Sequence, residues 1–155
     1  MHSSRLGISI IELIVVIAIL GILLAVGFIN LPSGGPRTFA NDLRGLVQQA
    51  RYEAVKRNVP VAVVWRPDER EFQTRLSDSA AYCAGSQVLA RRSLNEYPRL
   101  TITTDFVANE GVVWLPSGQA RSCLLTSFAP TIARITDGRT ENSVLVTLTG
   151  RIEVE

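Results

Sequence analysis

Few residues in this chain can carry chemistry, and the first of them is a single acid inside an apolar run. Glu12 is the only charged residue between Gly7 and Phe28. A carboxylate deep in a membrane costs roughly 2.5 kcal/mol or more, so such a group needs a cationic partner and a function. The run is long enough to cross the ~30 Å hydrocarbon core of a bilayer as a helix. The sequence therefore predicts a membrane helix that carries one functional acid.

Side chains for acid–base or metal chemistry are scarce in the rest of the chain. The single histidine is His2, at the very start. Asp68, Glu69 and Glu71 form a small acidic cluster at a predicted turn. A solvated hairpin end is favoured here over a calcium site, because no loop supplies oxygen ligands at metal spacing. We predict no catalytic residues, no metal site, no cofactor and no enzymatic activity.

The charge balance does not indicate a nucleic-acid-binding protein. The 155 residues include 16 basic and 14 acidic side chains, whereas nucleic-acid-binding domains typically carry a marked basic excess. Every basic residue except Lys56 is an arginine, which favours bidentate contacts with carboxylates or phosphates. The length suits one domain plus a membrane anchor.

The pattern beyond the apolar run predicts an α+β fold. Pro32 and Pro36 flank two glycines and should break the first helix. A second helix is predicted over residues 38–58, with Thr38 as its N-cap and an apolar stripe at three- and four-residue spacing. The strands that follow are too many and too short for one layer, so we expect two small antiparallel sheets packed by the helix. The predicted strands are Val59–Trp65, Glu71–Leu76, Val88–Ser93, Leu100–Thr104, Val112–Leu115, one within Leu124–Ile135, Ser143–Thr149 and Ile152–Glu155.

The start of the chain resembles the class III signal of type IV pilins and pseudopilins. The segment Leu6–Leu13 (LGISIIEL) and the apolar helix that follows it carry this resemblance. It implies that a prepilin peptidase cuts between Gly7 and Ile8 and that the new amino terminus, at Ile8, is methylated. Most family members have Phe where this chain has Ile8. An uncleaved signal anchor is the alternative.

The same resemblance gives Glu12 a role. It implies that the carboxylate of Glu12 meets the free amine of Ile8, in its own or a neighbouring subunit, and so sets axial register in a filament. The implied partners are the prepilin peptidase, the bacterial inner membrane, and other pilin or pseudopilin subunits. The expected organisation is a cytoplasmic leader (1–7), a membrane and filament helix (8–31), a linker (32–36) and an exported pilin-like domain (37–155).

Export also bears on the two cysteines. Cys83 and Cys123 are the only cysteines of the chain, and the periplasm is an oxidising compartment. A disulfide between them is the favoured interpretation, and two free buried thiols are the alternative.

Three segments of the domain resemble the H-type minor pseudopilins of type II secretion and the FimT-type minor pilins. They are Phe39–Trp65, the turn Val113–Gly118 (VWLPSG) and the terminal strand Val146–Val154 (VTLTGRIEV). This resemblance implies a structural subunit that helps to initiate or cap a type IV pilus or a type II secretion pseudopilus.

Two other functions remain open. One is a DNA-binding minor pilin for natural transformation, whose relatives share a Gly-Arg-x-Arg element where this chain has Gly150–Glu153 (GRIE). Glu153 replaces the second arginine with an acid, so we expect weak or no DNA binding. Arg134, Arg139 and Arg151 would still form a cationic site if the last strands brought them together. The other alternative is a membrane-anchored periplasmic enzyme, which the scarcity of histidine disfavours.

Overall fold

The structure, a computed structural model, describes residues 10–29, 35–77, 83, 85–106, 109–123 and 131–155, with the backbone alone for 24–29. The chain divides into two compact units, Met1–Ser33 and Gly34–Glu155. The first contains helix α1 (Ile10–Ile29), and the second contains helix α2 (Pro36–Arg57) and the strands. The predicted cleavage site and most of the predicted break lie outside the described residues.

Helix α1 is apolar on all sides. Each of its described side chains, from Ile10 to Leu23, is exposed. Glu12 is the acidic residue in the first turn of the described part of α1. Within the described part of the chain, no helix has the length and apolarity needed to cross a membrane.

Helix α2 begins two residues earlier than predicted. Its N-cap is Gly35, in an extended conformation, and not Thr38. Pro36, which was assigned to the linker, occupies the first turn, because a proline there loses no helical hydrogen bond and already has the required φ. The helix ends as expected: Asn58 adopts the left-handed conformation of a C-cap, with φ 55°.

Nine strands are present in the described residues, and all their pairings are antiparallel. One sheet has the order β3-β2-β1-β5-β6 and the other the order β4-β7-β8-β9, so the prediction of two small sheets is confirmed. Their bounds are β1 Val61–Arg66, β2 Glu71–Leu76, β3 Val88–Ser93, β4 Thr101–Thr103, β5 Gly111–Trp114, β6 Ala120–Ser122, β7 Thr131–Thr136, β8 Glu141–Val146 and β9 Ile152–Val154.

Most strands lie within a residue of where the period-two pattern placed them, with four larger differences. Strand β1 begins at Val61, two residues later than predicted. Strand β6 was not predicted, because three residues after a glycine turn show no clear alternation. Strand β8 starts at Glu141 and stops at Val146, because residues 147–150 form a turn that ends at Gly150 with φ +84°. The strand expected within Leu124–Ile135 is β7, whereas residues 124–130 lie outside the described part.

The main core lies between α2 and the inner faces of both sheets. Phe39, Leu43 and Val47 of α2 are fully buried, as are Trp114 of β5 and Ile135 of β7. Trp114 is thus a core residue. A second, smaller cluster lies on the opposite face of the first sheet and consists of Ala62, Val64, Val113 and Cys123, with half-buried Cys83 packed against it. Strands β1 and β5 are therefore buried on both faces.

Candidate functional site

The surface with the clearest functional implication is that of α1. Its large aliphatic side chains between Ile10 and Leu23 are from 47% (Val16) to 79% (Ile10) exposed. Glu12, also exposed, is the one acid among them. Gly7 and Ile8, the predicted cleavage and methylation residues, lie outside the described residues. The structure therefore places the carboxylate of Glu12 but not the amine with which it is expected to pair.

The two cysteines are joined, as expected from export. Cys83 and Cys123 form a disulfide, with their Cα atoms 5.2 Å apart. Cys123 follows β6 at the edge of the first sheet, and its backbone amide donates to the carbonyl of Gly111. The bridge attaches the segment after β2 to the outer face of this sheet, over the buried Ala62 and Val64.

Polar contacts attach the same segment to β2. Arg75 donates to the carbonyl oxygen of Gly85 at 3.2 Å and to the side chain of Gln73 at 2.7 Å. Gln73 lies on the outer face of the sheet, yet it is only 1% exposed. Its amide donates to the carboxylates of Glu69 and Glu71. Two acids of the predicted acidic cluster thus accept hydrogen bonds from Gln73. Among the described residues, no group of three potential metal ligands occurs.

The three arginines of the predicted alternative DNA site do not lie together. Arg134 is exposed in the middle of β7, and Arg139 lies in the turn from β7 to β8. Arg151 lies at the turn from β8 to β9. The two turns lie at opposite ends of β8, whose 6 residues span roughly 17–20 Å. The terminal strands are indeed neighbours, but antiparallel hairpins separate Arg139 from Arg151.

Arg151 is also partly neutralised. Its Nε lies 2.7 Å from Oε1 of Glu153, two residues further along the exposed face of β9. The acid that replaces the second arginine of the DNA-binding element thus pairs with the first arginine. Arg134 of β7 pairs with Ser143 of β8. On its other side, Ser143 exchanges backbone hydrogen bonds of 2.8 and 3.0 Å with Glu155, a second acid. Carboxylates accompany the cations on this face.

Sequence reasoning missed the residue that joins the two motifs of the second resemblance. Nη1 of Arg51, on α2, donates to the carbonyl oxygen of Gly150 at 2.9 Å, and its guanidinium lies 5.6 Å from the ring centroid of Trp114. Gly118 and Gly150 both have positive φ, at +79° and +84°. A Cβ on residue 150 would lie 2.7 Å from the carbonyl oxygen of Gly118, so the β5–β6 and β8–β9 turns meet here. The signal available in the sequence was an arginine at the border of the apolar stripe.

A second missed contact fixes α2 against β3. Asp42 accepts hydrogen bonds from Arg92 and from the hydroxyl of Tyr97, the latter at 3.0 Å. The ring of Tyr97 packs edge-on against Phe39, with the centroids 5.2 Å apart. Burial, and next the hydrogen bond to Asp42, raise the pKa of Tyr97. Burial lowers the pKa of Arg92, but the hydrogen bond and charge of Asp42 outweigh it and raise that pKa overall. This polar group stabilises the domain and offers no exposed nucleophile.

Solved structures with a similar fold include a minor pseudopilin and a minor pilin. The structure resembles the minor pseudopilin EpsH of the type 2 secretion system of Vibrio cholerae, with a TM-score of 0.56 and 13% identity, covering 79% of this chain and 97% of that one. It also resembles the type IV minor pilin FimU of Pseudomonas aeruginosa, with a TM-score of 0.56 and 18% identity, covering 77% and 87%. At such identities the likeness shows the fold alone. Among curated protein sequences, none matches the chain.

The family assignment comes from the sequence itself. The chain matches the model of the family described as type II transport protein GspH, over residues 40–150. The match includes most of α2, both sheets as far as Gly150, and the turns that meet Arg51. This family consists of structural subunits and is not known as one of enzymes. The chain therefore belongs to the GspH family of type II transport proteins, and it is a structural subunit of the minor pilin or pseudopilin kind.

Proposed function

We propose that this chain is the membrane-anchored precursor of a minor subunit that helps to initiate or cap a type II secretion pseudopilus or a type IV pilus. The observation that carries the proposal is the exposed apolar surface of α1. Fully burying one large aliphatic side chain is worth about 1.5–3 kcal/mol. A helix that presents such side chains on every side is stable only in lipid or against other apolar helices.

The two environments follow one another in the proposed life of the subunit. Residues 1–7 are a cytoplasmic leader, and residues 8–31 anchor the precursor in the bacterial inner membrane with its domain in the periplasm. A prepilin peptidase then cuts between Gly7 and Ile8 and methylates the amine of Ile8. The mature subunit leaves the bilayer and packs α1 against the helices of other pilin or pseudopilin subunits. The signal pattern and the family membership support this order.

Glu12 has a defined task in this scheme. A carboxylate inside a bundle of apolar helices has lost its hydration and needs a cation. The free amine of Ile8, created by cleavage, lies one helical turn away along the sequence or at the end of a neighbouring subunit. Pairing with that amine would fix the axial position of each subunit, and setting register is the best-attested use of a buried ion pair.

The test replaces the carboxylate in the full chain, expressed in a host that assembles the filament. Glu12→Ala and Glu12→Gln should enter the membrane as well as the wild type, because each removes a charge from an apolar helix. Their amount in sheared filaments should fall about tenfold or more, since leaving one partner of a buried pair uncompensated costs roughly 3–5 kcal/mol. Glu153→Ala, which removes a half-exposed carboxylate of the domain, is the matched control. Normal incorporation of both Glu12 variants would show that this acid does not set register.

A further inference from the structure

The domain leaves a small group of large apolar side chains uncovered, and they lie at one end of it. In its described part, Tyr52, Val55, Val59 and Leu148 are exposed by 61%, 52%, 36% and 61%. The first three lie at or just after the end of α2. Leu148 lies in the turn from β8 to β9. Single exposed apolar side chains are ordinary, whereas a group at one place indicates an interaction site.

The contacts of Arg51 hold this group in place. Arg51 precedes Tyr52 on α2 and donates to the carbonyl of Gly150, two residues after Leu148. A Cβ on Gly118 would lie 3.9 Å from Val55, so the β5–β6 turn lies beside the last turns of α2 as well. The helix and two turns are thus joined into one surface by the contacts of Arg51 with Trp114 and Gly150. We call Tyr52, Val55, Val59 and Leu148, with the cations Arg51 and Lys56, the Tyr52 surface.

The charges of this surface are one-sided. None of the ion pairs within the described residues involves Arg51 or Lys56. The ammonium of Lys56 lies 5.6 Å from the ring centroid of Tyr52. Glu53, the nearest acid along the helix, is already paired with Arg57, and its pKa is lowered by that hydrogen bond. The charge of Lys56 also contributes to that lowering, but Arg51, Lys56 and Arg57 outnumber the single acid Glu53, so this part of α2 keeps an excess of positive charge.

This combination matches a protein interface better than a site for a polyanion. The centres of protein interfaces are enriched in aromatic side chains and arginine, whereas binding to nucleic acid depends on many cations that neutralise phosphates. We infer that the Tyr52 surface docks a neighbouring subunit of the filament, which presents an aspartate or glutamate among apolar side chains. The inference rests on the proposed function, because it names the partner class as another pilin-like subunit. It differs from the packing of α1, since it concerns the domain.

The first experiment identifies what touches the surface. The full chain carries a photo-crosslinking phenylalanine analogue at position 52 or 148, in cells that make the filament. Position 139, exposed at the other end of β8, is the control. We expect adducts with another pilin-like subunit at positions 52 and 148, at a yield well above that at position 139, because only the first two positions would touch the partner. Adducts with a second copy of this chain, lipid or DNA, or no adduct above the control, would overturn the inference.

The second experiment measures what the surface contributes. Tyr52→Asp and Leu148→Asp replace exposed side chains and should therefore leave the thermal unfolding temperature of the domain unchanged. Each should lower the amount of the subunit in sheared filaments by about tenfold, the loss expected for a hot-spot residue. Thr103→Asp, an exposed change on β4 away from the surface, should have no effect. Lys56→Glu should also lower the amount of the subunit in filaments. Replacing an aspartate or glutamate of the partner, close to the crosslinked position, with lysine should restore it.

The outcomes separate the two proposals. A wild-type chain that never enters filaments would remove the proposed function. A wild-type chain that enters them, together with equal entry of Tyr52→Asp and Leu148→Asp, would remove the docking surface alone.

Discussion

Helices α1 and α2 are consecutive and of similar length, at 20 and 22 residues, yet they obtain their stability in different ways. Helix α2 buries one stripe, including Phe39 and Leu43, against the two sheets and exposes a polar face. Helix α1 exposes apolar side chains on all sides and buries none of those described. The first pattern is complete within the chain, whereas the second leaves apolar surface exposed, in keeping with the proposed packing of α1 in lipid or against other subunits. The difference indicates which part is a folded domain and which part is an assembly element.

The two sheets show the same contrast on a smaller scale. In the first sheet, β1 and β5 are buried on both faces, and Cys83 packs against the cluster of Ala62 and Val64 on the outer face. The second sheet buries its inner face and exposes charged side chains such as Arg134 and Arg151. A face that the chain covers itself is used for stability, whereas an exposed face remains accessible to partners.

The largest expected effect concerns delivery of α1 to the filament. Gly7→Val should abolish cleavage, because a branched side chain occupies the space that glycine leaves at the cut. Intact-mass measurement of the chain from a host with the peptidase should show loss of residues 1–7 for the wild type only. Gly21→Val, the same substitution inside α1, where a side chain meets nothing within 4 Å, is the control and should be processed. Equal processing of wild type and Gly7→Val would show that the site lies elsewhere.

The next prediction compares how a substitution in each helix changes the free energy of unfolding of the domain. Leu43→Ala should lower its free energy of unfolding by about 2–5 kcal/mol, because Leu43 is fully buried and the substitution leaves a cavity. Ile14→Ala should leave that free energy unchanged, because Ile14 is 59% exposed on α1. Denaturant unfolding of the full chain in detergent, followed by tryptophan fluorescence, measures both. Similar losses for the two variants would contradict the division between a folded domain and an assembly element.

Removing the disulfide should have a somewhat smaller effect. The bridge closes a loop with a sequence separation of 40, and a native disulfide of this kind contributes typically about 2–4 kcal/mol. Cys83→Ser with Cys123→Ser should lower the free energy of unfolding by that amount and increase protease cleavage between β2 and β3. The same double variant should resemble the wild type measured under reducing conditions. Two titratable thiols in the denatured, unreduced wild type would contradict the bridge.

Local pattern was enough to predict the class of fold and the position of most elements. The three- and four-residue spacing located α2, and turn residues located β2 and β3 to the residue. The pattern predicted the inner positions of β1, Val61 and Val63, but not the burial of Ala62 and Val64 on the other face. That burial depends on a segment attached through Cys123, far along the chain.

Long-range contacts and strand direction explain what sequence reasoning missed. Arg51 and Gly150 are 99 positions apart, and nothing in either segment indicates the other. Alternation along a strand reports which side chains share a face, but not at which end of a sheet each hairpin turns. Whether Arg139 and Arg151 come together depends on the ends at which the hairpins turn, and their two turns lie at opposite ends of β8. The resemblance to minor pseudopilins, in contrast, rested on motifs and is confirmed by the family match over residues 40–150.

The smallest expected effect concerns the exposed face of the second sheet, where DNA binding should be weak or absent. Arg151 pairs with Glu153, and the cations considered for a DNA site do not share one end of the sheet. Because neutralised phosphates supply most of the non-specific affinity, we expect a Kd weaker than about 10⁻⁵ M at about 150 mM salt. Fluorescence anisotropy of a short labelled duplex, with the full chain in zwitterionic nanodiscs, measures it. Arg151→Ala should change little, whereas Glu153→Arg, which completes the Gly-Arg-x-Arg element, should tighten binding measurably. Micromolar binding by the wild type that is lost in Arg151→Ala would instead make this face a DNA receptor.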